Sequence, residues 1–252
     1  MATTHHPADT YPIRAVPMSR PFVWLSEGWD DLMHHRGASL AYGALVSILG
    51  ALILAYARHP FFITATIVGF MLVGPILGAG LCELSRCRAT GERADFQSSL
   101  RPLQRNRASL MGLAETLMLI TVIWFAVSGA IYYGISGSVA PDVTSTIWGD
   151  VLRQLSSAQL LAYGVIGITL SAIVFALSVI AVPMIVERHV DAATAMRTSL
   201  HVTTRDLRAM MVWAVLIVGL VVLGFATGLV AMVVIYPLLG HATWRAYQEL
   251  VE

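Results

Sequence analysis

Glu115 stands inside an apolar run, Ser109 to Ser136, that is otherwise free of charge. An ionisable group at membrane depth is costly, so Glu115 is the first functional candidate. It lies about two helical turns from the Arg-rich end of its run, where it can reach the headgroups or pair with an arginine such as Arg107; that structural role is the simpler reading. No second buried carboxylate accompanies it, so a proton relay lacks its partner. His241 follows Pro237 near the end of the last apolar run. As a cofactor ligand it would need a second imidazole at the same depth, whereas His5, His6, His34, His35, His59, His189 and His201 fall in tails or loops, so hydrogen bonding at the interface is the simpler role. Adjacent residues of a helix face different ways, so His34-His35 cannot chelate and reads as a surface pair. Arg93, Arg101, Arg105 and Arg107 form a basic loop that would attract anionic headgroups, at roughly 1 kcal/mol per arginine near the surface. An enzyme at the membrane surface would need a polar cluster such as Glu83, Glu187, His189 and Asp191, although short charged loops look the same. Nucleophile motifs, a P-loop and a dinucleotide fingerprint are absent. Cys82 and Cys87 border the Arg-rich loop; a lone C-x4-C has no partner pair for zinc, and on a cytoplasmic face both are reduced thiols. No cofactor is expected.

The elements that must carry these groups are helices in lipid. Hydrophobic residues make up 57% of the 252 and charged residues 12%, about half the share of a soluble domain. Mean hydropathy is +0.72. The net charge of +1 gives no pull towards nucleic acid. All 16 basic residues are arginine. Residues 1–21 lack an apolar signal core and read as a disordered cytoplasmic tail, leaving 22–252 as a single membrane domain. A spanning helix needs about 20 apolar residues. Runs of that kind cover 39–57, 61–82, 109–136 and 159–186. The uncharged stretch from Ala209 to Trp244 would extend roughly 54 Å as one helix, against a hydrocarbon core of about 30 Å. It therefore divides into spans 207–223 and 226–244, turning near Gly224-Phe225-Ala226-Thr227-Gly228. The expected fold is an all-α polytopic bundle of about six transmembrane helices arranged as three hairpins with interfacial amphipathic helices. Six spans with both termini cytoplasmic put 14 arginines inside and only Arg58 and Arg153 outside, which fixes the orientation in a bacterial inner membrane.

Three segments share one plan: an amphipathic stretch, an entering span, and a returning span with proline near its inner end. The amphipathic stretches are Phe22 to His35, Phe96 to Asn106 and Asp191 to Leu207, and the prolines are Pro75, Pro183 and Pro237. Each proline frees a helix carbonyl that neighbouring helices must cover. In the first stretch Trp24, Leu25, Trp29, Leu32 and Met33 fall near one side, with Glu27, Asp30 and Asp31 opposite, the pattern of a helix lying in the interface with tryptophan at headgroup depth. Gly74-x-x-x-Gly78 and Gly224-x-x-x-Gly228 fit the close-approach motif and would serve packing inside the bundle or a homo-oligomer. Thr64, Thr66, Thr116 and Thr121 are expected to bond back to helix carbonyls.

Three motifs carry a resemblance. Trp24-Leu25-Ser26-Glu27-Gly28-Trp29-Asp30-Asp31-Leu32, Ser39-Leu40-Ala41-Tyr42-Gly43 and Pro237-Leu238-Leu239-Gly240-His241-Ala242-Thr243-Trp244-Arg245-Ala246-Tyr247 resemble an uncharacterised family of bacterial integral membrane proteins, from about Trp24 to Leu250. Some of its members carry the label cytochrome c oxidase subunit I. The resemblance implies fold and membrane location but no reaction. A catalytic haem–copper subunit resembles a twelve-span bundle with several histidine ligands, and this chain has about half the spans and one intramembrane histidine. The repeated hairpin is also similar to the membrane domain attached to some glycerophosphodiesterases. The expected role is a non-enzymatic scaffold, or an accessory or assembly component of a membrane complex, respiratory if the label holds. Its partners are the lipid bilayer and other subunits. The alternative is a small-molecule or lipid transporter, since repeats and Pro-broken helices are transporter features.

Overall fold

The computed structural model describes residues 11–55, 77–136 and 157–251. Among these the chain is helix and connection, apart from an isolated antiparallel bridge between Ile13 and Val251. In order the helices are α1 (Arg20–His34), α2 (Arg36–Ala55), α3 (77–90), a 3-10 turn (Ser98–Leu100) leading into α4 (Arg101–Arg105), α5 (Arg107–Ser136), α6 (Ser157–Ser178), α7 (Ala181–Arg188), α8 (Ala192–Arg205), α9 (Leu207–Ala226) and α10 (Met232–Leu250). Pro75, Thr64, Thr66 and most of the expected 61–82 span lie outside the described residues.

The amphipathic stretches and the runs that follow them meet at three matching elbows. His35, Asn106 and Asp206 have φ/ψ of −111/41°, −118/23° and −115/51°. Each N–H closes the helix before it, onto Asp31, Pro102 and Val202, and each carbonyl opens the next, accepting from Ser39, Leu110 and Met210. One residue leaves the helical region while both ladders stay intact, so the chain turns without stranding a backbone group. The second elbow bends the chain by 81°. The sequence repeat is thus accompanied by a repeated local geometry.

Pro237 lies inside the unbroken α10, and Pro183 lies in the first turn of α7. Pro183 stands just past the interruption at Val179-Ile180 that separates α6 from α7. There the N–H of Ile180 donates to Ser199 Oγ of α8 at 3.2 Å. Pro237 has no N–H to give the carbonyl of Val233 four residues back. Gly43 of α2 faces that oxygen so closely that a Cβ built on it would come within 1.9 Å. That closeness brings the Gly43 α-carbon within reach of a Cα–H···O contact.

The uncharged run from Ala209 to Trp244 is divided by a turn at residues 227–231. Gly228 and Leu229 have φ of 62° and 69° there. Leucine is uncommon in the left-handed region, and here it is held from outside. Ser47 of α2 donates to its carbonyl at 3.0 Å, and its side chain is buried against Gly50.

Trp24, Leu110, Leu113, Met184, Ile185, Trp213 and Tyr247 belong to one buried cluster that joins α1, α5, α7, α9 and α10. Outward, α5, α6 and α9 present Leu119, Ile123, Leu161, Ile168, Val215 and Val222 to the surroundings. Among the described residues two helical stretches, Gly167–Arg188, which runs through the interruption between α6 and α7, and Leu207–Ala226, are long and apolar enough to cross a membrane. The bent pair Ser98–Arg105 with Arg107–Ile123 makes a third if counted as one span, and Arg36–Leu52 is a shorter apolar helix.

Candidate functional site

α1 turns a different face inward from the one its tryptophans suggest. Pro21, Trp24, Gly28, Asp31 and Leu32 are buried, whereas Trp29 is 44% exposed. Trp24 packs edge-on against Trp213 at 5.8 Å and donates from Nε1 to Glu249 at 2.6 Å. Arg20 pairs with the same carboxylate at 2.7 Å. Trp24 is therefore a core residue, not a headgroup anchor. Asp31, placed by its neighbours Glu27 and Asp30 on the polar side, is fully buried. Gly28 permits this. A Cβ there would lie 2.7 Å from the Ala242 backbone nitrogen, so α1 and α10 touch backbone to backbone.

Asp31 is the centre of a closed polar network. Arg245 grips it side-on, Nε to Oδ2 at 2.9 Å and Nη2 to Oδ1 at 2.5 Å. Arg88 donates to Oδ1 at 2.7 Å and Ser85 to Oδ2 at 2.8 Å. Each carboxylate oxygen thus accepts two hydrogen bonds, about its full capacity. A carboxylate out of contact with water is tolerable only when paired in this way, and the bidentate fork is the strongest form of pairing.

His241 continues the chain, and its tautomer follows by elimination. Ser85 has one O–H and gives it to Asp31, so its oxygen can only accept from His241 Nδ1, 2.7 Å away. Nε2 then carries the lone pair and accepts from Ser39 Oγ at 2.9 Å. The protons run one way, Ser39 to His241 to Ser85 to Asp31, through groups that are all fully buried. With both ring nitrogens engaged, His241 has no free position for a metal or haem. The network ties α1, α2, α3 and α10 together. It is a serine–histidine–aspartate arrangement in residue type only, since Ser39 is closed off from any substrate.

The remaining candidates are dispersed. Glu115 is exposed on α5 and makes no hydrogen bond or ion pair among the described residues, with Arg107 or otherwise. Arg93, Arg101, Arg105 and Arg107 are all exposed, as headgroup contacts would require. The surface-enzyme cluster is not brought together, because each member has its own local partner. Glu83 is clamped by Arg86 through Nε at 2.8 Å and Nη2 at 2.9 Å. Glu187 accepts from the Tyr247 hydroxyl, to which Arg188 also donates at 3.0 Å. His189 pairs with Asn106 at 2.8 Å. Asp191 caps α8 through Thr194, whose hydroxyl and N–H hold its carboxyl below the usual range. Cys82 and Cys87 are buried free thiols. Thr116 and Thr121 bond back to Gly112 and Leu117 at 2.9 Å. Of the two histidines before α2, His34 is exposed and His35 half-buried with an unpartnered Nε2. Burial, and then the neighbouring His34, hold the His35 pKa below its ordinary value.

The sequence reading counted Arg88 only as a topology charge, quoted Ser39 and Arg245 within the resemblance motifs without linking them to Asp31, and left Ser85 unremarked. The available signal was the stripe Trp24, Gly28, Asp31, Leu32, in which a glycine one turn before a carboxylate marks a helix approached closely on that side.

A family model described as predicted integral membrane protein (DUF2189) matches residues 62–187, half of the chain. The chain belongs to that family. Membership in DUF2189 agrees with the apolar helices and means that the protein resides in a lipid bilayer. Of the network, Ser85 and Arg88 lie within the DUF2189 match, and Asp31, Ser39, His241 and Arg245 lie outside it. Comparison with curated proteins and with solved structures finds no match.

Proposed function

We propose that this DUF2189 protein is a six-span protein of the bacterial inner membrane, built as three hairpins with both termini cytoplasmic, and that it acts as a non-catalytic scaffold or accessory component of a membrane complex. The observation that carries this reading is the closure of the Asp31–Ser85–His241–Ser39 network. Asp31, Ser39, Ser85 and His241, all fully buried, are consumed in holding four helices together, and within that network no carboxylate oxygen or ring nitrogen is left open to a ligand. The recurring elbow supports the three-hairpin arrangement, since each amphipathic segment enters the following apolar helix through the same geometry. The transporter alternative has less support. Pro-broken backbone in transporters lines a cavity, and here Gly43 is packed against the carbonyl that Pro237 leaves free.

The test is mild solubilisation of tagged protein from its native membrane, followed by mass spectrometry and absorption spectra of what accompanies it. Partner subunits at a fixed ratio are expected, and haem absorbance among them would make the complex respiratory. Recovery of the protein alone and colourless would refute the accessory role. Single cysteines introduced beside the elbows, at Arg36, Arg107 and Leu207 in a background lacking Cys82 and Cys87, should all react from the cytoplasmic side. Labelling of any one from the opposite side would refute the topology.

A further inference from the structure

We propose that the groove between the start of α1 and the first turns of α9 is a binding site for one anionic phospholipid, with Arg208 holding the phosphate and the apolar walls taking an acyl chain. The groove has a volume of about 440 Å³. Met18 and Phe22 form one side, and Met211, Val212, Val215 and the hydrocarbon stem of the exposed Arg208 the other, so the lining is apolar and the charge of Arg208 stands outside it. Its depth in the membrane follows from the elbow. Asp206 is where an amphipathic segment becomes an apolar helix, so Arg208, two residues later, stands at headgroup level and the groove runs inward from there. From Arg208 to Val215 it follows α9 for about 10 Å, a length matched by part of one acyl chain.

Charge selects the occupant. Arg208 is exposed and makes no ion pair or hydrogen bond among the described residues. Arg20, on the α1 side, is already committed to Glu249. A cation at the mouth of an apolar groove needs an anion beside a hydrocarbon chain, which is what a phospholipid supplies. A zwitterionic lipid carries its own cation beside the phosphate and gains less. A helix from a second copy, about 10 Å wide, would have to cover Arg208 with apolar side chains and leave its charge unmatched.

The full-length protein, purified in detergent and stripped of lipid, is titrated with phosphatidylglycerol or with phosphatidylcholine, and bound lipid is read by native mass spectrometry. Wild type is expected to retain phosphatidylglycerol more strongly. Arg208→Gln, at an exposed position, should weaken phosphatidylglycerol about fivefold and leave phosphatidylcholine unchanged. Val212→Trp, checked for folding by gel filtration, should reduce both by filling the groove. Equal retention of the two lipids by wild type overturns the proposal, as does undiminished phosphatidylglycerol binding in either variant. A dimer that Val212→Trp dissolves, with lipid binding unaffected, would assign the groove to self-association instead.

Discussion

The α-carbon of Gly43 is pressed against the carbonyl oxygen of Val233, the one helix acceptor that Pro237 cannot serve. Two helices meet where one lacks a side chain and the other lacks a hydrogen bond, so each defect is covered by the other. Gly43→Ala would place a methyl within 1.9 Å of that oxygen and force the helices apart. A loss of about 1–3 kcal/mol in reversible unfolding in detergent is expected. Gly37→Ala, where a Cβ meets nothing within 4 Å, is the control and should be neutral or stabilising. Equal losses in the two variants would rule out close approach as the cause.

Removing a partner of Asp31 should be far more damaging than removing a surface charge. Arg245→Ala leaves the buried carboxylate held by Arg88 and Ser85 alone, and about 3–5 kcal/mol is expected to be lost. Arg93→Ala, on the exposed loop, should change stability by less than about 0.5 kcal/mol. A double-mutant cycle between Asp31 and Arg245 should return a coupling of about 0.5–3 kcal/mol, and additive losses would show that the two do not act as a pair.

The direction of hydrogen bonding predicts the His241 tautomer. Nitrogen-15 spectra of histidine-labelled protein at neutral pH should show one imidazole protonated at Nδ1 with a lone pair at Nε2. His241→Phe keeps an aromatic ring but leaves the Ser39 hydroxyl without its acceptor, at about 1–3 kcal/mol for a group left unsatisfied, while Ser85 keeps its bond to Asp31. Absence of an Nδ1-protonated signal from wild type, or its persistence in His241→Phe, would contradict the chain of donors described.

His35 should make the fold acid-sensitive. Its pKa is lowered in the folded protein from the ordinary 6.5, so folding favours the neutral ring. Protonation therefore favours the unfolded chain. This contribution is fully present above about pH 6.5 and is lost as pH falls towards the depressed value. His35→Gln should flatten the stability profile across that interval. An unchanged slope in the variant would place the acid sensitivity elsewhere.

Helicity and the apolar helices were readable because lipid leaves the backbone few alternatives. Pro237 also announced a freed carbonyl, although not that Gly43 would be the residue to cover it. What escaped was which way α1 faces. Counting apolar residues put Trp24, Leu25, Trp29, Leu32 and Met33 on the apolar side; Trp24 and Leu32 are buried, yet Trp29 faces out and the helix turned its carboxylate inward. The stabilising partners, Arg88 and Arg245, stand far away in sequence, and periodicity within one helix cannot register them. For the same reason His241 was read as an interfacial hydrogen-bonding group without its partners. Glu115 drew notice through its apolar neighbours, although α5 presents it outward with no partner among the described residues.

Asp31 and Arg245 are separated by 214 positions, and Arg88 follows Asp31 by 57. A ribosome making this chain therefore delivers the anion first, its first cation soon after, and its second only much later. Until then Asp31 has half of its ionic partners, and α1 has neither the backbone of Ala242 nor the ring of His241 to rest against. The contact that completes the bundle doubles as a record that translation has reached α10. A nascent or truncated chain short of that point leaves α1 undocked, in the condition a membrane quality-control protease can recognise.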